Sequence, residues 1–408
     1  MDAVHGPSLE ENKKKVIMSQ LEQHLFIVIS GDNGNALGIV RALGEAGIKP
    51  VLIYLVEETH LPLLIKSRYL DVVHKVHSYE EGVDLLLEKY RGMELKPFVY
   101  ICDDLLQSVV DKRYDEMIKH FIFFHAGEQG RVSHLMNKKV ICDLAESCGF
   151  RVPKNEVVKR GELPKTLSYP VITKTLMSIL GAWKEDSFIC HSEEELLDAY
   201  KRIAASDLIV EEFIDKKNEL CLEGFSVRGG QEVFIPYGIS YFRARPGGYG
   251  HYTWCETLKD DDLKDRVRDL FRKSRYEGCF EVEFLVDKND NLWFLEVNFR
   301  FSFWNYALTF GGMNYPMMWA ESADAGRIVP PEESAYARLP VKTYFTAMSE
   351  PGDFAQCILI EHRSFWKWLS EVRKADMLYF YNPKDPMPAF SFWFHKLKRK
   401  ILKRRVSK

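Results

Sequence analysis

Residues 280–286 (Phe-Glu-Val-Glu-Phe-Leu-Val) and 292–298 (Leu-Trp-Phe-Leu-Glu-Val-Asn) both read as alternating strands. Between them lies Asp287-Lys288-Asn289-Asp290-Asn291, a turn composition. Few patterns constrain a chain more: a period of two fixes which side chains share a face, and a short loop fixes the register. A four-residue loop from Lys288 to Asn291 sets Asp287 opposite Leu292, and therefore Glu283 opposite Glu296. Two carboxylates directly across a strand pair repel, and a cation between them relieves the repulsion. Asn298, two residues beyond Glu296, points to the same face, and Arg300 follows with a planar fork suited to phosphate or carboxylate. Two carboxylates and an amide oxygen make a hard, all-oxygen donor set. An exposed hairpin carrying incidental acids is the alternative reading of these residues alone.

A chain of 408 residues exceeds one ordinary core, so two or three domains are expected. Its 46% hydrophobic and 28% charged content is that of a globular protein, and a net charge of −3 argues against a nucleic-acid binder. The eight cysteines are scattered without a Cys-x-x-Cys pair, as expected of free thiols in a reducing compartment. No signal peptide is expected from the polar first twenty residues, and no apolar run is long enough to span a bilayer.

Residues 1–20 read as a flexible tail. Leu25–Ser30 reads as a buried parallel strand, followed by a Gly31/Gly34 turn, a helix to Gly47, a strand from Pro50 to Tyr54 and another from Phe98 to Cys102 that runs into Asp103-Asp104. Repeated strand–helix–strand order predicts a doubly wound α/β domain over residues 21–130. The Gly31/Gly34 turn lacks the full three-glycine dinucleotide pattern and reads first as a tight turn. A helix from Lys138 to Cys148 then leads to strands at 169–174, 208–214 and 219–227, predicting an α+β region with antiparallel sheet over residues 131–325. Within it, residues 131–208 form a first subdomain and 209–325 a second. Residues 326–408 read as a C-terminal extension with a basic, aromatic tail. In that tail Phe390, Phe394, Leu397 and Ile401 share one helical stripe within residues 389–405, and from Lys396 onward there are eight Lys or Arg and no acid. Both an interfacial basic helix and a solvated tail fit that composition.

Read in order, Asn137-Lys138, Tyr169-Pro-Val-Ile-Thr-Lys174, Val210-Glu211-Glu-Phe-Ile214, Glu219, Glu283 and Glu296-Val-Asn298-Phe-Arg300 resemble the ATP-grasp superfamily, and its carboxylate–amine ligase branch in particular. The resemblance covers roughly residues 21–325 and implies an α/β domain followed by a two-subdomain ATP-grasp fold. It implies ATP and Mg²⁺ (Mn²⁺ as a substitute) as cofactors. Lys138 and Lys174 would meet nucleotide phosphates, with Lys174 and Arg300 also acting on the reacting groups. Glu211 and the backbone near Phe213 and Ile214 would line the adenine pocket, with Glu212 beside them among the nucleotide-binding residues, and Glu219 would accept the ribose hydroxyls. Glu283, Glu296 and Asn298 would hold metal.

The chain departs from the family pattern after Lys174, where residues 175–184 carry one glycine instead of a glycine-rich loop; Ser178 and Lys184 remain as phosphate contacts there. It departs again at Phe299, where proline is usual. A second loop, Tyr241–Tyr252, is rich in glycine and aromatics, and its Arg243 or Arg245 would grip a carboxylate. Ser302 to Tyr306 would shape the acceptor pocket.

The expected activity is ligation: ATP phosphorylates a carboxylate, and an amine displaces the phosphate. Carbamoyl-phosphate-synthase-like phosphoryl transfer and nucleotide binding without catalysis are the alternatives. Small-molecule carboxylate and amine substrates are the expected partners, with a homodimer and membrane-surface contact through residues 389–405 as further expectations and no nucleic acid. The expected location is the cytoplasm, peripheral at the inner membrane surface if the tail acts as an interfacial helix.

Overall fold

The computed structural model describes residues 21–57, 61–177, 186–242, 252–339, 344–347 and 364–406, together with residues 358 and 362. The expected flexible tail at 1–20 lies outside them.

The first unit is a parallel sheet. Strands β1 (Phe26–Ser30), β2 (Val51–Leu55), β3 (Val73–Val76) and β4 (Phe98–Ile101) take the order β3-β2-β1-β4. Strands β1, β2 and β4 are buried at every position, which is why they read as continuous apolar runs. Helix α1 (Gly34–Glu45) follows β1, capped by Asn33, whose side chain accepts from the Ala36 amide. The Gly31/Gly34 turn is a packing turn: a Cβ on Gly34 would come within 2.5 Å of the Phe303 ring. Helix α2 (Tyr79–Tyr90) joins β3 to β4, and α3 (Asp104–Asp111) leaves β4 capped by Asp103. The strand order reverses between β1 and β4, so the crevice outside their C-terminal ends is the switch point of this sheet.

Helix α4 (Lys138–Ser147) leads into an antiparallel sheet of order β5-β8-β6-β7, made of β5 (Asn155–Lys159), β6 (Val171–Thr175), β7 (Ile189–Cys190) and β8 (Asp207–Glu212). This sheet has its own small core around Val171, Leu196, Leu208 and Val210. Because β8 pairs with β5 and β6, the two sheets divide at residues 213–215, a few residues later than the expected boundary at 208/209.

The largest sheet has seven strands in the order β13-β12-β9-β10-β11-β14-β15. They are β9 (Lys216–Val227), β10 (Glu232–Tyr241), β11 (Tyr252–Thr257), β12 (Gly278–Asp287), β13 (Leu292–Asn298), β14 (Tyr344–Ala347) and β15 (Met377–Leu378). The hairpin forms as expected at its functional end, with Glu283 opposite Glu296, but its tip is different. Val286, rather than Asp287, faces Leu292, and a bulge at Leu295 absorbs the extra residue. Asp287 is drawn into the turn, where its carboxylate accepts from the Asn289 and Asn291 amides and from Trp293 Nε1 at 2.8–3.0 Å.

The parallel unit and the seven-stranded sheet share one core. Trp319 of helix α5 (Tyr315–Ala325) packs edge-on against Phe98, Tyr100 and Phe124 at 4.8–5.7 Å between ring centres. The region after residue 325 is not an appendage. β14 and β15 extend the large sheet, and Asp385 forms a buried ion pair with Arg41 of α1 at 3.2 Å. Arg41 also donates to the carbonyls of Tyr379, Phe380 and Asp385, and Asp385 accepts from Ser67 and the Arg68 amide. The seven cysteines among the described residues are buried free thiols.

Candidate active site

Three strands of the large sheet place their polar side chains in rows. Register aligns Glu223 of β9 with Glu281 of β12 and Asn298 of β13, and in the next row Cys221 with Glu283 and Glu296. Period-two alternation keeps Glu219, Glu223, Glu281, Glu283, Glu296 and Asn298 on one face. Asn298 ties the rows together: its Nδ2 donates to Glu281 at 2.8 Å and to Glu283 at 2.7 Å, and its Oδ1 accepts from Arg300 at 3.1 Å.

Two lysines reach this face from other elements. Lys138, at the first turn of α4, donates its ammonium to Glu296. Its own backbone amide donates to the Leu176 carbonyl at 2.8 Å, which fastens the helix start to the end of β6. Lys174 of β6 donates to the buried Glu211 of β8. The two cations expected to meet phosphate are therefore both held by carboxylates here. Glu219 is buried and paired with Lys216. Glu212 is half-buried on the opposite face of β8 from Glu211, so these two residues do not share one side of the strand. Phe213 and Ile214 form the connection between the two sheets, and the Phe213 amide already donates to the Pro170 carbonyl at 3.1 Å. Ser178, Lys184, Arg243 and Arg245 lie outside the described residues.

Arg300 is anchored across domains. Its Nε donates to Asp104 Oδ1 at 2.9 Å, and its terminal nitrogens reach Asp104 Oδ2 at 3.5 Å, Asn298 Oδ1 and the Phe301 carbonyl. Asp104 opens α3 at the switch point of the parallel sheet. Its neighbour Asp103 caps the helix and accepts from the Tyr79 hydroxyl. Ser302 donates to Glu223. Asn305 donates to the Asn35 carbonyl, and the Tyr306 hydroxyl bonds Glu45. The segment expected to shape an acceptor pocket thus spends these side chains on the seam between the large sheet and α1.

The electrostatics follow from crowding acids away from water. Burial, then the charges of Glu281 and Glu296, push Glu283 well above the usual carboxylate range. Burial pushes Glu281 and Glu223 up to about 8, and the charge of Glu223 adds to the rise at Glu281. Glu296 is held low by Lys138 against its own burial. Burial alone would lower Lys138 and Arg300, but the acids around each together outweigh it, Glu296 with Glu211 and Glu283 at Lys138 and Asp104 with Glu281 and Glu283 at Arg300, so both cations are raised.

Among the described residues, no three His, Cys, Asp or Glu side chains are gathered as a metal cluster. The fit to an oxygen-ligated divalent cation rests on the carboxylates of Glu283 and Glu296, with the Asn298 oxygen, which accepts from Arg300, beside them; the crowding that raises Glu223, Glu281 and Glu283 is what a cation would relieve. Sequence reasoning missed Asp104, Glu223 and Glu281. Glu281 lies two residues before Glu283, and Glu223 four beyond Glu219, so strand alternation already placed both on the working face. Asp104 carried no such signal, because its partner is 196 residues away.

A parallel unit followed by two antiparallel sheets that present lysines and acids across their junction is the ATP-grasp fold, and this chain has it. Solved structures agree. N5-carboxyaminoimidazole synthetase from Staphylococcus aureus superposes with a TM-score of 0.61 at 17% identity, covering 84% of this chain and 88% of that one. L-amino acid ligase from Bacillus licheniformis gives 0.57 at 16% identity, covering 79% of each. The biotin carboxylase domain of Hydrogenobacter thermophilus 2-oxoglutarate carboxylase, solved as a dimer with MgADP and bicarbonate, gives 0.59 at 20% identity, covering 78% and 73%. In sequence, the chain is 24% identical over 139 residues to N5-carboxyaminoimidazole ribonucleotide synthase of Staphylococcus aureus strain COL, a match over 33% of this chain. It spans about a third of the length of the curated relatives it matches (35%). No family model matches.

Proposed function

We propose that this chain is an ATP- and Mg²⁺-dependent ligase that activates a small carboxylate as an acyl phosphate and joins it to an amine. The observation that carries the reading is the polar face of Glu281, Glu283, Glu296, Asn298 and Arg300 with Lys138 and Lys174 set against it. The fold supports it, as does the presence of carboxylate- and amine-handling enzymes among the similar structures.

Mg²⁺, held by Glu283, Glu296 and Asn298, would supply charge neutralisation to the phosphates. Lys138 and Lys174 would exchange Glu296 and Glu211 for phosphate oxygens, and these ion pairs keep both cations placed. Arg300, fixed by Asp104, would offer its remaining Nη1 hydrogen to the transferring group. In the first step a carboxylate oxygen bonds to the γ-phosphorus, the bond to the β-bridging oxygen breaks, and ADP leaves. In the second the amine nitrogen bonds to the acyl carbon, phosphate leaves with the bonding pair, and the amine proton passes to solvent or phosphate. Substrates are small molecules and the reaction belongs in the cytoplasm. A homodimer is part of the same reading.

The test is acid-dependent ADP release across a panel of amino acids and small carboxylates, with hydroxylamine trapping the acyl group as a hydroxamate. ADP formation that needs no acid and yields no hydroxamate would point to another phosphoryl transfer. Tight ATP binding with no ADP at all would leave a binding protein.

A further inference from the structure

Helix α6 (Met387–Val406) is amphipathic in an inverted sense. One face is spent on the body of the protein: Ala389 is fully buried, Ser391 nearly so, and Phe392 stacks on Phe380 with ring centres 5.4 Å apart. The other face should then be polar. Instead Met387, Phe390, Phe394 and Leu397 are 56%, 53%, 64% and 59% exposed. Their spacing of three, four and three residues puts them on a single stripe. Single exposed apolar residues are ordinary, but four large ones on one helix face mark an interaction surface.

The charge that accompanies the stripe in sequence says what covers it. From Lys396 to the end of the chain there are eight Lys or Arg and no acid. A second copy packed helix to helix would set eight cations against eight. A phospholipid surface bearing anionic headgroups meets the stripe and the charge together, the apolar side chains entering the headgroup–acyl boundary and the cations lying over the headgroups. No helix among the described residues is long and apolar enough to cross a membrane, so the helix would lie on the surface. We propose that α6 docks this protein onto an anionic lipid surface. The feature is independent of the ligase reading, so either can fail alone.

The experiment is co-sedimentation of the full chain with vesicles of phosphatidylcholine mixed with phosphatidylglycerol, against phosphatidylcholine alone, at low and high salt. Binding to the mixed vesicles only, weakened by salt, is expected. Phe390→Ser with Phe394→Ser should lower the partition coefficient at least about tenfold, since each buried apolar carbon contributes. Lys398→Gln should lower it roughly fivefold. These side chains are on the outer face, and an unchanged melting temperature confirms that the variants fold. No binding to mixed vesicles at low salt overturns the proposal. So does binding indifferent to the phenylalanine changes, which would leave only loose polybasic adsorption. A wild-type dimer in sedimentation equilibrium that the phenylalanine variant converts to monomer, without vesicle binding, would make a second copy the occupant instead.

Discussion

Glu296→Gln separates the catalytic from the structural account of the hairpin. Two opposing effects act on the apo protein. The substitution removes the anionic partner of Lys138, whose side chain is 14% exposed against 29% for Glu296. Breaking a fully buried pair costs about 3–5 kcal/mol, and this pair is partly hydrated, so about 2–3 is the appropriate figure. Glutamine keeps an acceptor for the ammonium, which returns about 0.5–1 kcal/mol. The change also removes the charge facing Glu283, worth about 0.2–1 kcal/mol across a strand pair. The net loss is about 1–2 kcal/mol. At about 2.1 cal/mol/K per residue, a chain of this size unfolds with an entropy near 0.9 kcal/mol/K, so the melting temperature falls by only about 1–2 °C. Activity responds differently. An amide is a poor ligand for a hard cation, and losing about 3 kcal/mol of charge stabilisation slows ADP release by about 100-fold or more. Differential scanning calorimetry without nucleotide and a coupled ADP assay with the acid panel measure the two effects. Wild-type ADP release in a folded variant refutes the metal assignment. A fall in melting temperature beyond about 5 °C with activity retained makes the Lys138–Glu296 pair a structural brace.

Three further outcomes follow from the geometry. Asp104→Asn removes the charge that orients Arg300 while leaving the ATP contacts alone, so kcat should fall about tenfold or more with the KM for ATP within about twofold; equal changes in both would mean that Asp104 acts on binding. Glu223 titrates near 8 in the folded chain against about 4.3 unfolded, so the native state holds a proton that the unfolded state has released between those values. Stability from this group is present at low pH and is lost as pH rises through about 8, at up to about 1.4 kcal/mol per unit; Glu223→Gln should therefore gain on wild type between pH 6 and pH 8 in denaturant melts, and parallel curves would refute the shift. Arg41→Met leaves Asp385 buried with Ser67 and the Arg68 amide as its remaining partners among the described residues, and should cost about 3–5 kcal/mol, or about 4–6 °C, in a thermal melt; a shift under about 1 °C would mean that the C-terminal segment is not anchored there.

What could be read in the chain was whatever repeats locally. Apolar runs announced β1, β2 and β4, and alternation announced the hairpin and its face. The opposition of Glu283 and Glu296 was correct although the loop was counted one residue short, because the bulge at Leu295 restores the register below the tip. The same alternation held Glu281 and Glu223 in plain view. The ordered motifs carried the fold. What the sequence alone could not determine were contacts between residues far apart in the chain. Arg300 meets Asp104 across 196 residues and Arg41 meets Asp385 across 344. No period links such pairs. The packing of the parallel unit against the seven-stranded sheet, around Trp319, brings them within reach. That packing also brought Tyr336, Met377, Tyr379, Phe380 and Ala389 of the expected C-terminal extension into the core. Separate contacts, α4 against β13 and β6 beside β8, pair Lys138 and Lys174 with acids where the sequence pointed to phosphate. Periodicity is a property of neighbours along the chain, and it fixes strands and faces. Charge pairing is a property of neighbours in space, and only the tertiary structure decides it.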